Sequence, residues 1–262
     1  MQFLGRLQFA LPIIKGPVNW MAARIAASEG IIKHGVGSGL RFCARGGYPG
    51  YLLGTSDLEE QQILKQYLPH KGVFYDIGAN IGFYATIAAR LVGSEGKVFA
   101  FEPFAASAEA CRRNAKLNNF TQVRVVEAAV AAEEGEMTLE LGESSAVHRL
   151  SVGGNGCKVR VLAIDQWRTE EGTPAPDLVM IDAEGAELEV LRGMLKTLRE
   201  TRPTIMVEVH WRGDAFLNFC SDHLFQLGYK LTTYAGEAPP LGLVRYHALL
   251  RCEERKSGDT PV

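Results

Sequence analysis

Apolar positions recur along the chain in short blocks separated by glycine, proline and charge, and the block at residues 73–91 organises the rest. Val73, Phe74, Tyr75 and Ile77 form a β-branched and aromatic run that contains Asp76 and stops at Gly78; past Gly82 an apolar, alanine-rich run begins at Phe83. Strand, tight turn and helix are predicted, the opening of a doubly wound α/β sheet. Further strands are predicted over 97–101, 123–126, 134–141, 159–164, 178–181, 204–209, 230–234 and 244–250. Helices are predicted over 82–92, 105–117, 186–198 and 215–227, with a short one starting at Asp165. Helices between the early strands argue a mainly parallel sheet with right-handed crossovers, and the late pair of strands argues an antiparallel edge.

The flanking segments are weaker in pattern. A peripheral helix is expected over 17–28, because Pro12, Lys15, Pro17 and Asn19 interrupt the apolar stretch that could otherwise pass for a targeting signal or membrane span. Residues 35–54 are glycine-rich and predict a small hairpin or irregular cap. Ser56 and Glu59 have capping-box spacing for a helix that runs through Tyr67 and ends at Pro69. The polar stretch 142–156, with His148 and a GGNG run, predicts a lid or substrate loop. The organisation expected is a helical and hairpin extension over 1–68, an α/β domain over 69–252, and a frayed polar tail over 253–262.

The chemistry follows from where the strands end. Gly78 permits a turn closed to other residues and close approach of a ligand, and the N–H groups that open the next helix face the same crevice. Asp76 adds an acceptor there. The second strand ends in Glu102-Pro103, placing a carboxylate where it can accept from both hydroxyls of a ribose. A dinucleotide fingerprint would need glycines where Asn80 and Phe83 stand, so pyrophosphate fits poorly and a nicotinamide-dependent oxidoreductase is disfavoured. An adenosyl ligand ending in a zwitterionic amino acid fits better, since Asp76 can receive an ammonium. That ligand is S-adenosylmethionine.

Five blocks carry a family resemblance: FYDIGANIGFY at 74–84, FAFEP at 99–103, NAKLNN at 114–119, LVMIDAEGAELEVLRG at 178–193 and RPTIMVEVH at 202–210. In these the chain resembles the FkbM family of S-adenosylmethionine-dependent methyltransferases, over roughly 35–210. The resemblance implies a class I, Rossmann-like, seven-stranded fold and O-methylation of a hydroxyl on a sugar or other natural product. The alternative is a non-catalytic adenosyl-binding or scaffold module. Met180 departs from the family pattern, which commonly has Lys two positions before Asp182.

On this reading Asp76, Gly78, Ala79, Asn80, Gly82 and Phe83 hold the amino-acid end of the cofactor. Glu102 with Pro103 holds the ribose, Glu127 and Ala128 the adenine, and Asp182 stands at the crevice mouth. Asp182, Glu208 and His210 are the catalytic candidates: His210 as proton acceptor, Glu208 two positions earlier as its support, and Asp182 aligning the hydroxyl. Trp211 could stack on a ring substrate. Asn114 and Asn118 are expected to cap and end their helix. No metal is expected, because the block from Asp182 to Glu187 lacks both a neighbouring His and calcium-loop spacing.

Composition alters little. A length of 262 residues with 47% hydrophobic content suits one α/β domain with an extension. A formal charge of −2 and pI near 6.3 give no reason to expect nucleic acid or an anionic membrane. Five scattered cysteines without metal spacing predict reduced thiols. A cytoplasmic protein is expected, acting on a small-molecule or glycan hydroxyl, with no transmembrane segment and with the extension as a candidate homodimer contact.

Overall fold

In a computed structural model the described residues are 28–140, 149–151, 156–211, 213–239 and 245–252. The expected helix over 17–28, the dimer contact assigned to it, His148, most of the expected lid and the tail fall outside them. The chain opens on a two-stranded antiparallel hairpin, β1 (Glu29–Ile31) and β2 (Arg41–Cys43), followed by α1 (Pro49–Leu53) and α2 (Leu58–Tyr67). The hairpin therefore begins earlier than the glycine pattern suggested. The capping box does not form: Asp57, in a left-handed conformation, precedes α2 and makes no side-chain cap, while the Ser56 carbonyl accepts from the Gln61 side chain at 2.7 Å.

The main element run is β3 (Val73–Ile77), α3 (Phe83–Val92), β4 (Lys97–Phe101), α4 (Ala105–Leu117) and β5 (Val123–Val126), all at or within a residue of expectation. A side sheet follows, made of β6 (Ala129–Val130), β7 (Gly135–Glu140), β8 (Arg149–Ser151) and β9 (Cys157–Leu162). Thus part of the stretch read as a loop is strand β8, paired antiparallel to β7. Next come α5 (Ile164–Glu171) and β10 (Leu178–Ile181). The single helix expected over 186–198 is two, α6 (Glu187–Arg192) and α7 (Leu195–Thr201), interrupted at Gly193-Met194. A Cβ on Gly193 would run into the Ala131 backbone, so the chain is pinned there by its neighbour. Strand β11 (Thr204–His210) leads into α8 (Gly213–Phe219), which passes into a π-helical turn (Cys220–Leu224) and a 3₁₀ turn (Phe225–Leu227) where one α-helix was expected. Strands β12 (Tyr229–Thr232) and β13 (Arg245–Cys252) finish the chain.

The main sheet has the order β12-β13-β11-β10-β3-β4-β5. Strands β5, β4, β3, β10 and β11 are parallel, and β13 is antiparallel to both β11 and β12. The central strands β3, β4, β10 and β11 are mostly apolar because both faces are covered. One face carries Trp167, Tyr75, Phe101 and Val190; the other carries Phe74, Ile81, Ile87 and Val98 together with Ile32, Phe42 and Leu64 from the first forty described residues. The N-terminal hairpin thus shares a core with the sheet. It is tied there by Asn114, fully buried, whose amide oxygen accepts from the Cys43 N–H at 2.7 Å and whose nitrogen donates to the Cys43 and Ile81 carbonyls. Asn118 does end its helix, and it also bonds both backbone groups of Arg41. None of the five cysteines is in a disulfide.

Candidate active site

The strand order reverses beside β3, and the carboxyl ends of β3, β4, β10 and β11 converge there on one cavity of about 420 Å³. At its first end, Asp76 is the penultimate residue of β3 with 2% exposure, and its Oδ2 has no hydrogen-bond partner among the described residues. Burial raises its pKa to about 7, opposed by a backbone hydrogen bond from Ala85 and helped by the charge of Glu102. Asn80, at φ 49°, also lines the cavity with its Oδ1 unpartnered. Two orphaned acceptors without a donor describe a place for a cation with hydrogen-bonding protons.

Glu102 closes the same end from β4. Its Oε2 accepts the Asn80 N–H and its Oε1 the Phe104 N–H, each at 2.8 Å, and burial lifts its pKa to about 7 against those two bonds. Each oxygen keeps a second lone pair, so the carboxylate holds the glycine turn while still able to accept from a ligand. Gly78, Ala79, Phe83, Pro103 and Ala128 line the cavity as expected positions. Gly78 is glycine because of the fold: at φ 86° a Cβ would collide with the carbonyl oxygen of Asp182, just past the end of the neighbouring strand β10.

Two expected positions fall elsewhere. Gly82 does not line the cavity; at φ 82° it begins α3, and a Cβ there would strike Cys111 of α4, so it serves helix packing. Glu127 also misses the cavity. Its half-exposed carboxylate pairs with Arg112 at 3.2 Å, and the short β6 strand turns Ala128, Ala129 and Val130 inward in its place.

The other end of the cavity is acidic and aromatic. Asp182 follows β10, Glu184 and Trp211 occupy left-handed backbone at φ 48° and 54°, and Glu208 projects from β11. A bulky residue such as Trp211 at positive φ is unusual and costly, and such outliers gather at functional sites. Burial and the charge of Glu208 push the Asp182 carboxyl up to about 8. Glu208 goes the other way: burial raises it, but hydrogen bonds and charge from His247 and Arg245 outweigh that and hold it near 2.

His210, the expected proton acceptor, lies behind this wall. Its side chain has no exposure and is absent from the cavity lining. Its support is also not the residue expected: Nδ1 meets Glu187 Oε1 at 2.9 Å, while Nε2 stands 3.7 Å from both Glu208 Oε1 and Glu184 Oε2. The reason is register. Glu208 and His210 share a face of β11, but the buried start of α6 comes closer to the ring than a neighbour two residues along the strand.

The histidine that does face the cavity is His247, which the sequence reading missed. It stands opposite Glu208 in the β11–β13 pairing, with Nε2 3.2 Å from Glu208 Oε1 and Nδ1 2.6 Å from Glu60 Oε1. Burial opposes its charge, yet the two carboxylates raise its pKa to about 10. Arg245, two residues earlier on the same face, also bonds Glu208. Tyr48, Asp57 and Glu60 from the N-terminal segment, Tyr84 from α3 and Tyr234 from the last turn complete this end. The one legible signal was the alternation of Arg245 and His247 in a strand, which carries no address for its partner.

Sheet order, antiparallel last strand and a glycine turn between two buried carboxylates define the class I, Rossmann-like methyltransferase fold. Residues 76–231, more than half of the chain, match the methyltransferase FkbM domain, and the chain belongs to that family. It is 29% identical over 140 residues to the hexuronic acid methyltransferase AglP of Haloferax volcanii, a match covering 53% of this chain and 56% of that protein. It is also 29% identical over 168 residues to the 2-O-methyltransferase NoeI of Sinorhizobium fredii, covering 56% and 68%. The chain therefore spans little more than half the length of the first of these relatives. Among solved structures, methyltransferase FkbM from Methylobacillus flagellatus overlays with a TM-score of 0.47 at 16% identity, over 69% of this chain and 43% of that one.

Proposed function

We propose that the protein transfers a methyl group from S-adenosylmethionine to a hydroxyl of a carbohydrate or related natural product. The observation that carries this reading is the pair of orphaned acceptors, Asp76 Oδ2 and Asn80 Oδ1, beside a Glu102 with two lone pairs to spare. A ligand with an ammonium at one end and vicinal hydroxyls in its middle satisfies all of these at once, and phosphate satisfies none. Asp76 and Asn80 would receive the ammonium, and Glu102 the ribose hydroxyls. When bound, the cofactor supplies the methyl group as the electrophile.

The acceptor then occupies the Asp182–Trp211 end. Trp211 and Tyr48, 47% and 43% exposed, offer flat apolar faces to a sugar ring, and the surrounding carboxylates offer acceptors to its hydroxyls. Asp182 and Glu208 face the reacting hydroxyl and hold it in line, which is where most of the rate gain of a displacement reaction arises. The proton that the hydroxyl loses as the methyl group arrives passes to Asp182, the more basic of the two carboxylates, and His210, held by Glu187, packs behind them. His247 and Arg245 keep Glu208 ionised.

The test is incubation with cofactor carrying an isotopically labelled methyl group and a panel of glycosides and uronates, read by mass spectrometry. A labelled methyl ether on one class of acceptor is expected. Cofactor bound with no labelled product across the panel would leave the binding-module alternative. Trp211→Ala should raise the acceptor KM by about tenfold, as losing roughly 1.4 kcal/mol of ring contact implies, and leave cofactor affinity unchanged.

A further inference from the structure

Asp182, Glu208 and His210 each point a ligand-type atom at one spot, and these atoms lie within 4.8 Å of one another. Two of them are orphans: Asp182 Oδ1 and the fully buried His210 Nε2 have no hydrogen-bond partner among the described residues. We propose that these three residues bind a divalent cation at the acceptor end of the cavity. The inference rests on the reading of that end as the acceptor site only for its role, not for its existence.

Three independent features support it. First, His210 Nε2 stands 3.7 Å from an oxygen of each of Glu208 and Glu184, too far for a hydrogen bond but within the span of two ligands on one ion. Second, the far side of the ring is arranged as metal-bound histidines are: Nδ1 faces a buried carboxylate, Glu187, whose Oε1 is itself fixed by the Gly185 N–H at 2.8 Å. A proton on Nδ1 directs the Nε2 lone pair towards Asp182 and Glu208.

Third, the local charge is unbalanced. Asp57, Glu60, Asp182, Glu184 and Glu208 line this end and Glu187 lies behind it, against Arg245 and His247. Even with a charge on His210 the carboxylates are in surplus, and a dication is the compact way to offset them. Two carboxylates and one imidazole suit an ion of intermediate hardness, such as Mn²⁺, better than Mg²⁺. An acceptor hydroxyl on that ion would be both aligned and more acidic than in water.

The measurement is Mn²⁺ titration into the chelator-treated full chain, without cofactor or acceptor, following loss of the free-ion signal by electron paramagnetic resonance. One ion per chain is expected in the wild type. Asp182→Asn and Glu208→Gln should each weaken binding at least tenfold. Glu187→Gln, a change at a positioning residue that touches only the far side of the ring, should weaken it about 10–100-fold. No uptake by the wild type up to millimolar Mn²⁺ overturns the site, as does unchanged uptake by all three variants. Binding of S-adenosylhomocysteine, measured separately, reports folding of the variants, and it addresses the methyltransferase reading without bearing on the metal. A wild type that binds the ion but not the cofactor refutes that reading alone; the reverse refutes the metal site alone.

Discussion

Asp76 and Glu102 set the behaviour of the cofactor end, because each is a buried carboxylate whose pKa has risen to about 7. Ordinary carboxylates titrate near 4, so between about pH 4 and 7 the folded, empty protein holds protons that the unfolded chain has released. Stability of the empty protein therefore falls as pH rises through that window. Ligand donors need the ionised forms, so cofactor affinity should move the opposite way and rise from pH 6 to pH 8. Calorimetry in buffers of different ionisation enthalpy should record proton release on binding below pH 7; an affinity flat in pH would contradict these assignments. Glu102→Gln removes the charged acceptor, and charge-assisted bonds are worth about 1.5–3 kcal/mol each. Affinity should drop at least tenfold. Glutamine also turns one acceptor into a donor opposite an N–H, of Asn80 or Phe104, a consequence of the two backbone bonds that the sequence did not disclose.

At the scale of elements, the strand ends were legible and the cross-strand partners were not. Apolar runs stopped by Asp76, Glu102 and Asp182 mark β3, β4 and β10 because a parallel strand is buried on both faces until it reaches the crevice. In the sequence Glu187 closes the acidic block at a helix start and Glu60 carries no signal of its own, and only packing puts one against His210 and the other against His247. Glu208 and His247 lie 39 positions apart and meet through the antiparallel register of an edge strand, which no local pattern encodes. Helix breaks at Gly193-Met194 and Cys220–Leu224 were invisible for the same reason. The β3–β10 junction gives a direct check. Gly78→Ala combines a left-handed backbone with a clash against the Asp182 carbonyl, whereas Gly172→Ala has φ 61° and open space around its Cβ. The second should cost about 1–2 kcal/mol, the backbone term alone. The first should cost clearly more in thermal or denaturant unfolding and also weaken cofactor binding; equal costs would mean that the junction is looser than described.

Across the whole molecule, the N-terminal segment and the sheet share one of the two main cores, with Ile32, Phe42 and Leu64 packed among residues of β3, β4 and α3. Asn114 joins hairpin, turn and helix through three bonds. Asn114→Ala leaves up to three buried backbone groups unpaired, at about 1–3 kcal/mol each, so a loss of several kcal/mol is expected with unfolding still a single transition by circular dichroism and fluorescence. Separate transitions would mean that hairpin and sheet unfold independently. The same segment delivers Tyr48, Asp57 and Glu60 to the end proposed for the acceptor and β13 delivers Arg245 and His247, so the family match over 76–231 covers the Asp76–Glu102 end of the cavity but not all of the other. Among the described residues no helix is long and apolar enough to cross a membrane.

The proposed function depends on the cavity being an S-adenosylmethionine site. Titration calorimetry of the wild-type chain at pH 8 with S-adenosylhomocysteine, the demethylated product, tests that most directly. Saturable binding of one molecule per chain is expected, with a Kd below millimolar that Glu102→Gln weakens at least tenfold. Absence of any binding heat and any thermal shift up to millimolar ligand would contradict it.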